Sequence, residues 1–366
     1  MDMENKEHFF WENFPSPADY EKELKKIRKS IRKRNALIVL TSLILAAALL
    51  LGTIHYGIPT LESRYWDPRT VSFGTAEGTD FDMLLAAYTD LFSPTTYFHG
   101  SRITHTGFAS YSITVAYRNE LTYENLESYA TLEKGELFVP FGVWDTVSHN
   151  MVGSYWSEAA DEIPEVIKQQ RQFAIQQLTP LPDYIRVAAY VTFKEDKTLT
   201  DVFRFRDELI NASHDWYNDT AYYWTAIRHA DEMDNSARCG FASDSFTDQF
   251  PEANEQYPAF SERQAYEDRN ISYEQWSSKE KTYTAHFKSL LKFMDDQLKN
   301  GTGIPAPPSG TGEVDMDYYA NALAYVEEYG LMAYGCYIVG SPQHLLEIME
   351  REDVLVLIPT EEWLYI

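Results

Sequence analysis

Between Asn35 and Leu61 the chain runs for 27 residues without a single Asp, Glu, Lys or Arg. Its centre, Ala36–Ile54 (ALIVLTSLILAAALLLGTI), is apolar apart from Thr41, Ser42, Gly52 and Thr53. A helix rises about 1.5 Å per residue, so about 20 such residues cross a hydrocarbon layer about 30 Å thick. Inside that layer only a helix or a closed barrel satisfies its own backbone, and an unbroken run of this kind reads as a helix. A cleavable signal peptide is the competing reading. Its apolar stretch is shorter, about 7–15 residues, and ends at a small-residue cleavage site. Here 34 residues precede the run and GTIHYGIP offers no A-x-A pattern. The segment therefore reads as a retained transmembrane helix over residues 35–57.

The flanks set its direction. Lys22, Lys25, Lys26, Arg28, Lys29, Arg32, Lys33 and Arg34 crowd the N-terminal side, whereas the other side opens with Glu62, Arg64, Asp67 and Arg69. Excess Lys and Arg stays on the cytosolic side. This predicts a cell-membrane protein with a cytosolic tail over 1–34 and an extracytoplasmic C-terminal body. Tyr56, Tyr65 and Trp66 suit an outer interfacial belt, and the basic run suits anionic lipid headgroups of the bilayer. The tail holds nine of the 31 Lys/Arg and seven of the 56 Asp/Glu, leaving 22 basic and 49 acidic residues, a balance of −27, for the rest. Such a body repels phosphate backbones, which argues against direct nucleic-acid binding.

Beyond the membrane, residues 58–80 read as a stalk containing Pro59 and Pro68. The chain is 44% hydrophobic and 15% aromatic over 366 residues, enough to build a sizeable core. Ser110–Tyr117 alternates, with Tyr111, Ile113, Val115 and Tyr117 on one face, and predicts a half-buried strand. Ile185–Phe193 predicts another, followed by a helix over Leu199–Leu209. Apolar positions 283, 287, 290, 291, 294 and 298 form a helical stripe ended by Asn300-Gly301. After the Gly/Pro/Ser-rich linker 301–312 comes a helix over Met316–Tyr329 with Gly330 as its C-cap. A strand over Leu331–Gly340, a helix begun at Ser341-Pro342 and a strand over Val354–Ile358 complete the chain. That strand–helix–strand order predicts a parallel crossover. The fold class is α+β: one transmembrane helix, then a mixed α/β body (81–300) and a C-terminal α/β unit (313–366). The stretch 211–280, rich in Asn, Asp, Tyr and Trp, takes no assignment.

Catalytic signals are lacking. There is no HExxH, no GxSxG and no glycine-rich phosphate loop leading into a helix. His229 and the acids of RHADEMD (228–234) read as a solvated face ahead of an ion site. Asp315 and Asp317 near a helix start offset the helix dipole. No cofactor, no metal and no enzymatic activity are expected. Cys239 and Cys336 permit one disulfide, which would close a long loop. Cys336 reads equally as a small core residue. Sequons stand at Asn211, Asn218, Asn270 and Asn300.

Two stretches resemble the bacterial sigma-factor regulators, single-pass anti-sigma proteins with N- and C-terminal regulator domains. The first runs from Tyr20 to Tyr117 and includes KKIRKSIRKR, the membrane helix, YWDP (65–68), DMLLAAYTDLFSP (82–94) and TGFASYSITV (106–115). The second comprises HFKSLLKFMDD (286–296) and YVEEYGLMAYGCYIVGSPQHLLEI (325–348), with YVTF (190–193) and LTDVFRF (199–205) in the same pattern. The resemblance implies an extracytoplasmic sensor body, responsive to an envelope ligand, coupled through one helix to a cytosolic segment that restrains a sigma factor. The 34-residue tail has no cysteine and no zinc motif. Binding then falls to a peptide or to a companion anti-sigma subunit.

The tail carries one feature fit for that role. FFWENF places Phe9, Phe10, Trp11 and Phe14 together, and in a helical turn Phe10, Trp11 and Phe14 share a face. Such a stripe fits a partner's groove or dips into the inner leaflet beside the basic residues. A membrane-anchored binding module without a transcriptional role is the alternative function.

Overall fold

The computed structural model describes residues 16–71, 78–119, 121–138, 165–212, 220–231, 238–242, 255–258, 260, 276–304 and 315–364. The chain divides into a helical unit ending at Tyr65 and a compact unit from Trp66 to Ile366.

Among its described residues the helical unit holds one continuous helix, α1 (Pro17–Glu62), and none of its apolar window is buried. Ser16 caps its start by accepting the Asp19 amide at 3.2 Å, and Pro17 occupies the first turn, where no N–H is needed. Thr53–Gly57 is a π-helical turn. Pro59 has no N–H to donate back up the helix and its ring crowds the carbonyl four residues earlier. Widening the preceding turn accommodates both. The helix thus continues past residue 57, the predicted end of the membrane segment.

In the second unit, α2 (Asp80–Phe92) starts with a reciprocal cap. Asp82 N donates to Thr79 Oγ1 at 3.2 Å and Thr79 N donates to Asp82 Oδ2 at 2.7 Å. Eleven of its thirteen residues are buried, so it is a core helix without a wet face. It packs on an antiparallel meander of β1 (Thr96–Gly107), β2 (Ser110–Asn119), β3 (Asn125–Glu133) and β4 (Glu136–Phe138). The predicted alternation of β2 is found: Tyr111, Ile113, Val115 and Tyr117 are buried.

A second sheet has the order β7-β6-β8-β5-β9. Its members are β5 (Ile185–Thr198), β6 (Ala221–Ile227), β7 (Gly240–Ala242), β8 (Met332–Gly340) and β9 (Val354–Leu364). The helices are α3 (Glu165–Leu178), α4 (Leu199–Ala212), α5 (Trp276–Lys299), α6 (Tyr318–Tyr329) and α7 (Pro342–Met349). Both β8 and β9 pair antiparallel with β5, so they run parallel to each other with β5 between them. The predicted crossover β8–α7–β9 is therefore split by an inserted strand. β5–α4–β6 is split by β8 in the same way. The order β6-β8-β5-β9 is that of a ferredoxin-like double split βαβ, with β7, α5 and α6 inserted between β6 and β8.

This sheet explains two differences from the sequence reading. Strands on either side of the 301–312 linker share one sheet, so the body and the C-terminal segment pack as one unit. β5 is buried on both faces from Arg186 to Phe193. Val187, Ala189, Val191 and Phe193 lie under α4 and α7, whereas Ala188 and Tyr190 join Trp224, Tyr334 and Tyr337 in a second cluster. Within 58–80, read as a stalk, residues 66–70 are folded onto α2 and β2, and Pro68 is buried.

Candidate functional site

Of the residues singled out from sequence, Phe9, Phe10, Trp11 and Phe14 lie outside the described residues. Cys239 and Cys336 are described, and both thiols are free and buried. The expected option of a bridge between them is not realised. Cys336 pairs with Thr225 on one side of β6, and the Cys239 carbonyl accepts from Ile227 on its other side. Two strand spacings, about 9.6 Å, separate such positions, and a disulfide needs Cα atoms within about 7 Å. Burial pushes the Cys239 thiol up to about 12, and that of Cys336 upward as well. Neither is poised as a nucleophile.

His229 does not face solvent. It is 3% exposed, its Nδ1 lies 3.1 Å from the Ile227 carbonyl oxygen and its Nε2 lies 3.0 Å from the Tyr318 hydroxyl. Both ring nitrogens serve to hold the start of α6 against the end of β6. Among the described residues no group of three His, Cys, Asp or Glu is placed to hold a metal ion.

Among the described residues a cleft of about 530 Å³, open to solvent, lies between the end of β5, the first turns of α4 and the α7–β9 turn. Its origin is a local irregularity. Thr192 pairs with Gly335 and Lys197 with Ala333, so the four β5 residues Phe193–Asp196 stand opposite the single Tyr334, three more than the ladder to β8 takes. Thr198 then caps α4, accepting the Asp201 amide at 3.2 Å.

The lining is charged, with six carboxylates against four cations. Most are paired with one another. Arg351 reaches Glu208 at 2.8 Å and Asp353 at 3.0 Å, with its guanidinium 4.7 Å over the Phe205 ring. Lys197 lies 3.1 Å from Asp353, and Arg228 closes on Asp196 from behind. Burial raises the Asp353 carboxyl, but hydrogen bonds from Arg351 and Lys197 outweigh it and hold the pKa below the ordinary carboxylate value. Among the described residues its lining contains no Ser, Cys, His or Tyr, so it offers no hydroxyl or thiol nucleophile and no imidazole base. What it can do chemically is exchange its internal ion pairs for those of a charged ligand. Sequence reasoning passed over it, although the charged runs KEDK (194–197) and REDV (351–354) mark its two walls.

Comparisons with protein-family models, with curated proteins and with solved structures return no match to this chain.

Proposed function

We propose that this chain is a single-pass membrane regulator of the anti-sigma type, with residues 1–34 in the cytosol and the 66–366 unit outside it. The observation that carries this reading is α1, a continuous 46-residue helix that is apolar over a membrane-length window and unburied there. An all-round apolar helix without protein cover is stable in lipid, not in water. The eight basic residues between Lys22 and Arg34 orient it with the tail inside.

The transcriptional part of the reading draws on the motifs in 20–117 and 286–348 that resemble sigma-factor regulators. In this scheme the extracytoplasmic unit senses, and the tail restrains a sigma factor directly or through a companion subunit. Phe9, Phe10, Trp11 and Phe14 form the contact surface. Burying each aromatic in a partner's groove contributes about 2 kcal/mol before the cost of ordering the tail.

Single cysteines at Ser30 and at Glu124 test the topology. A membrane-impermeant maleimide added to intact cells should label Glu124→Cys and leave Ser30→Cys unmodified, because the two native thiols are buried. The reverse pattern contradicts the reading. The charged cleft favours a second reading, a membrane-anchored binding module for a charged envelope ligand. That reading prevails if deleting the protein leaves sigma-dependent transcription unchanged.

A further inference from the structure

The first residues after the helical unit are not slack chain. Asp67 and Arg69 form a two-pronged ion pair, with Arg69 Nε 2.9 Å from Asp67 Oδ1 and Nη2 2.7 Å from Oδ2. The Arg69 amide also donates to Asp67 Oδ1 at 2.9 Å. The Thr70 amide and hydroxyl both donate to the Asp67 carbonyl, at 3.1 and 2.7 Å. This self-braced turn is pinned to the second unit at three points. Trp66 packs 5.9 Å from Phe81 at the start of α2. Arg69 lies 5.2 Å over the Tyr111 ring of β2. The Thr70 carbonyl accepts the Asp80 amide at 2.7 Å.

The materials of this turn differ from those beneath it. The Asp67 and Arg69 side chains are 38% and 48% exposed, whereas α2 and the inner face of β2 are buried. The apolar hold of the turn is confined to Trp66 and Pro68, and a segment otherwise braced by solvent-facing hydrogen bonds opens at lower free energy than the core.

We propose that Trp66–Thr70 is a clasp that opens independently of the rest of the unit, and that its opening is the conformational step by which the sensor body acts on the membrane helix. The signalling half of this rests on the regulator reading above; the independent opening does not. The clasp begins at the residue after Tyr65, so it is the chain segment through which a shift of α2 or β2 is passed along the backbone to the helix. Phe81 and Tyr111, the residues it grips, are the ones such a shift would move.

The test uses the full chain in lipid nanodiscs and amide hydrogen exchange. In the native protein the Arg69, Thr70 and Asp80 amides should exchange at least about 100-fold faster than those of Val187–Val191. Asp67→Asn, which keeps the turn's shape but loses the ion pair, should speed the clasp amides about tenfold further and leave β5 unchanged. Trp66→Ala is the second variant and should do the same. Clasp and β5 amides exchanging at one common rate overturn independent opening. In cells, a sigma-dependent reporter should respond to Asp67→Asn in the direction of the deletion. A reporter that responds to the deletion but not to either clasp variant overturns the signalling role. One that ignores the deletion overturns both the regulator reading and that role, while the exchange result still decides independent opening.

Discussion

His286 Nε2 and Asp90 Oδ2 meet at 3.1 Å across 196 positions of sequence, with side chains only 0% and 4% exposed. Asp90 is a junction as well as a partner. Its Oδ1 accepts the Ala242 amide at 3.1 Å and its carbonyl accepts Trp224 Nε1 at 3.1 Å. One carboxylate thus joins α2, β7 and α5, and its backbone joins β6. Asp90→Ala removes the acceptor for a buried ring and a half-buried amide together. The expected loss is about 3 kcal/mol, read as a lower denaturation midpoint. Asp90→Asn, which keeps one acceptor oxygen, should lose less. Equal midpoints for wild type and Asp90→Ala would contradict the junction.

Gly240 is required by close approach. A Cβ there would sit 1.9 Å from the Thr225 carbonyl oxygen and 2.5 Å from the Trp224 ring. Neither neighbour can yield, since Thr225 is in the ladder and Trp224 is 0% exposed. Gly240→Ala should therefore separate β7 from β6 and cost about 3 kcal/mol by overpacking. The matching control is Gly100→Ala, whose Cβ meets nothing within 4 Å and which should unfold close to wild type.

Arg171 closes the outer edge of the second sheet. Among the described strands β9 pairs only with β5, which puts it at the edge of the sheet. From α3, Arg171 Nη1 donates to the Leu355 carbonyl at 2.9 Å and Nη2 to that of Met349 at 2.8 Å. A lysine keeps the charge but not the fork. Arg171→Lys should cost about 1–2 kcal/mol and speed amide exchange in β9 more than in β8.

The thiols carry a pH signature. Burial raises Cys239 from an ordinary 9.0 to about 12. A group raised on folding contributes stability that is present below its unfolded pKa and lost as pH rises toward its folded one. Stability should accordingly fall from pH 9 upward, and Cys239→Ser should shallow that fall. At pH 8 the folded chain should leave a thiol reagent unreacted, and denaturant should release two equivalents. Migration that differs with and without reductant would reveal a bridge that the strand positions forbid.

Local pattern made some of this legible. β2 is exposed on one face, so its alternation is written in residues 110–117. α7 announces itself by Ser341, whose hydroxyl caps it, and by Pro342. Gly330 ends α6 at φ +83°, where glycine is at no disadvantage. Pairing across distance was not legible. Nothing in residues 331–358 records that β5, some 150 positions earlier, slips between β8 and β9. β6 (AYYWTAI) passed unassigned because it is buried almost throughout and so lacks a period. The clasp escaped notice because WDPRT reads as a breaker-rich stalk, and only Phe81 and Tyr111 give it something to hold. The cleft escaped because its charges are internally paired, which no charge count reveals.

The most direct test of the regulator account is capture. The full chain, solubilised from membranes, is used to recover proteins from a cytosolic extract beside a Phe9/Phe10/Trp11/Phe14→Ala version. The account predicts a sigma factor, alone or with a companion subunit, on the native chain and its loss from the substituted one. A native chain that recovers no sigma factor, or a substituted chain that recovers it equally, contradicts the account.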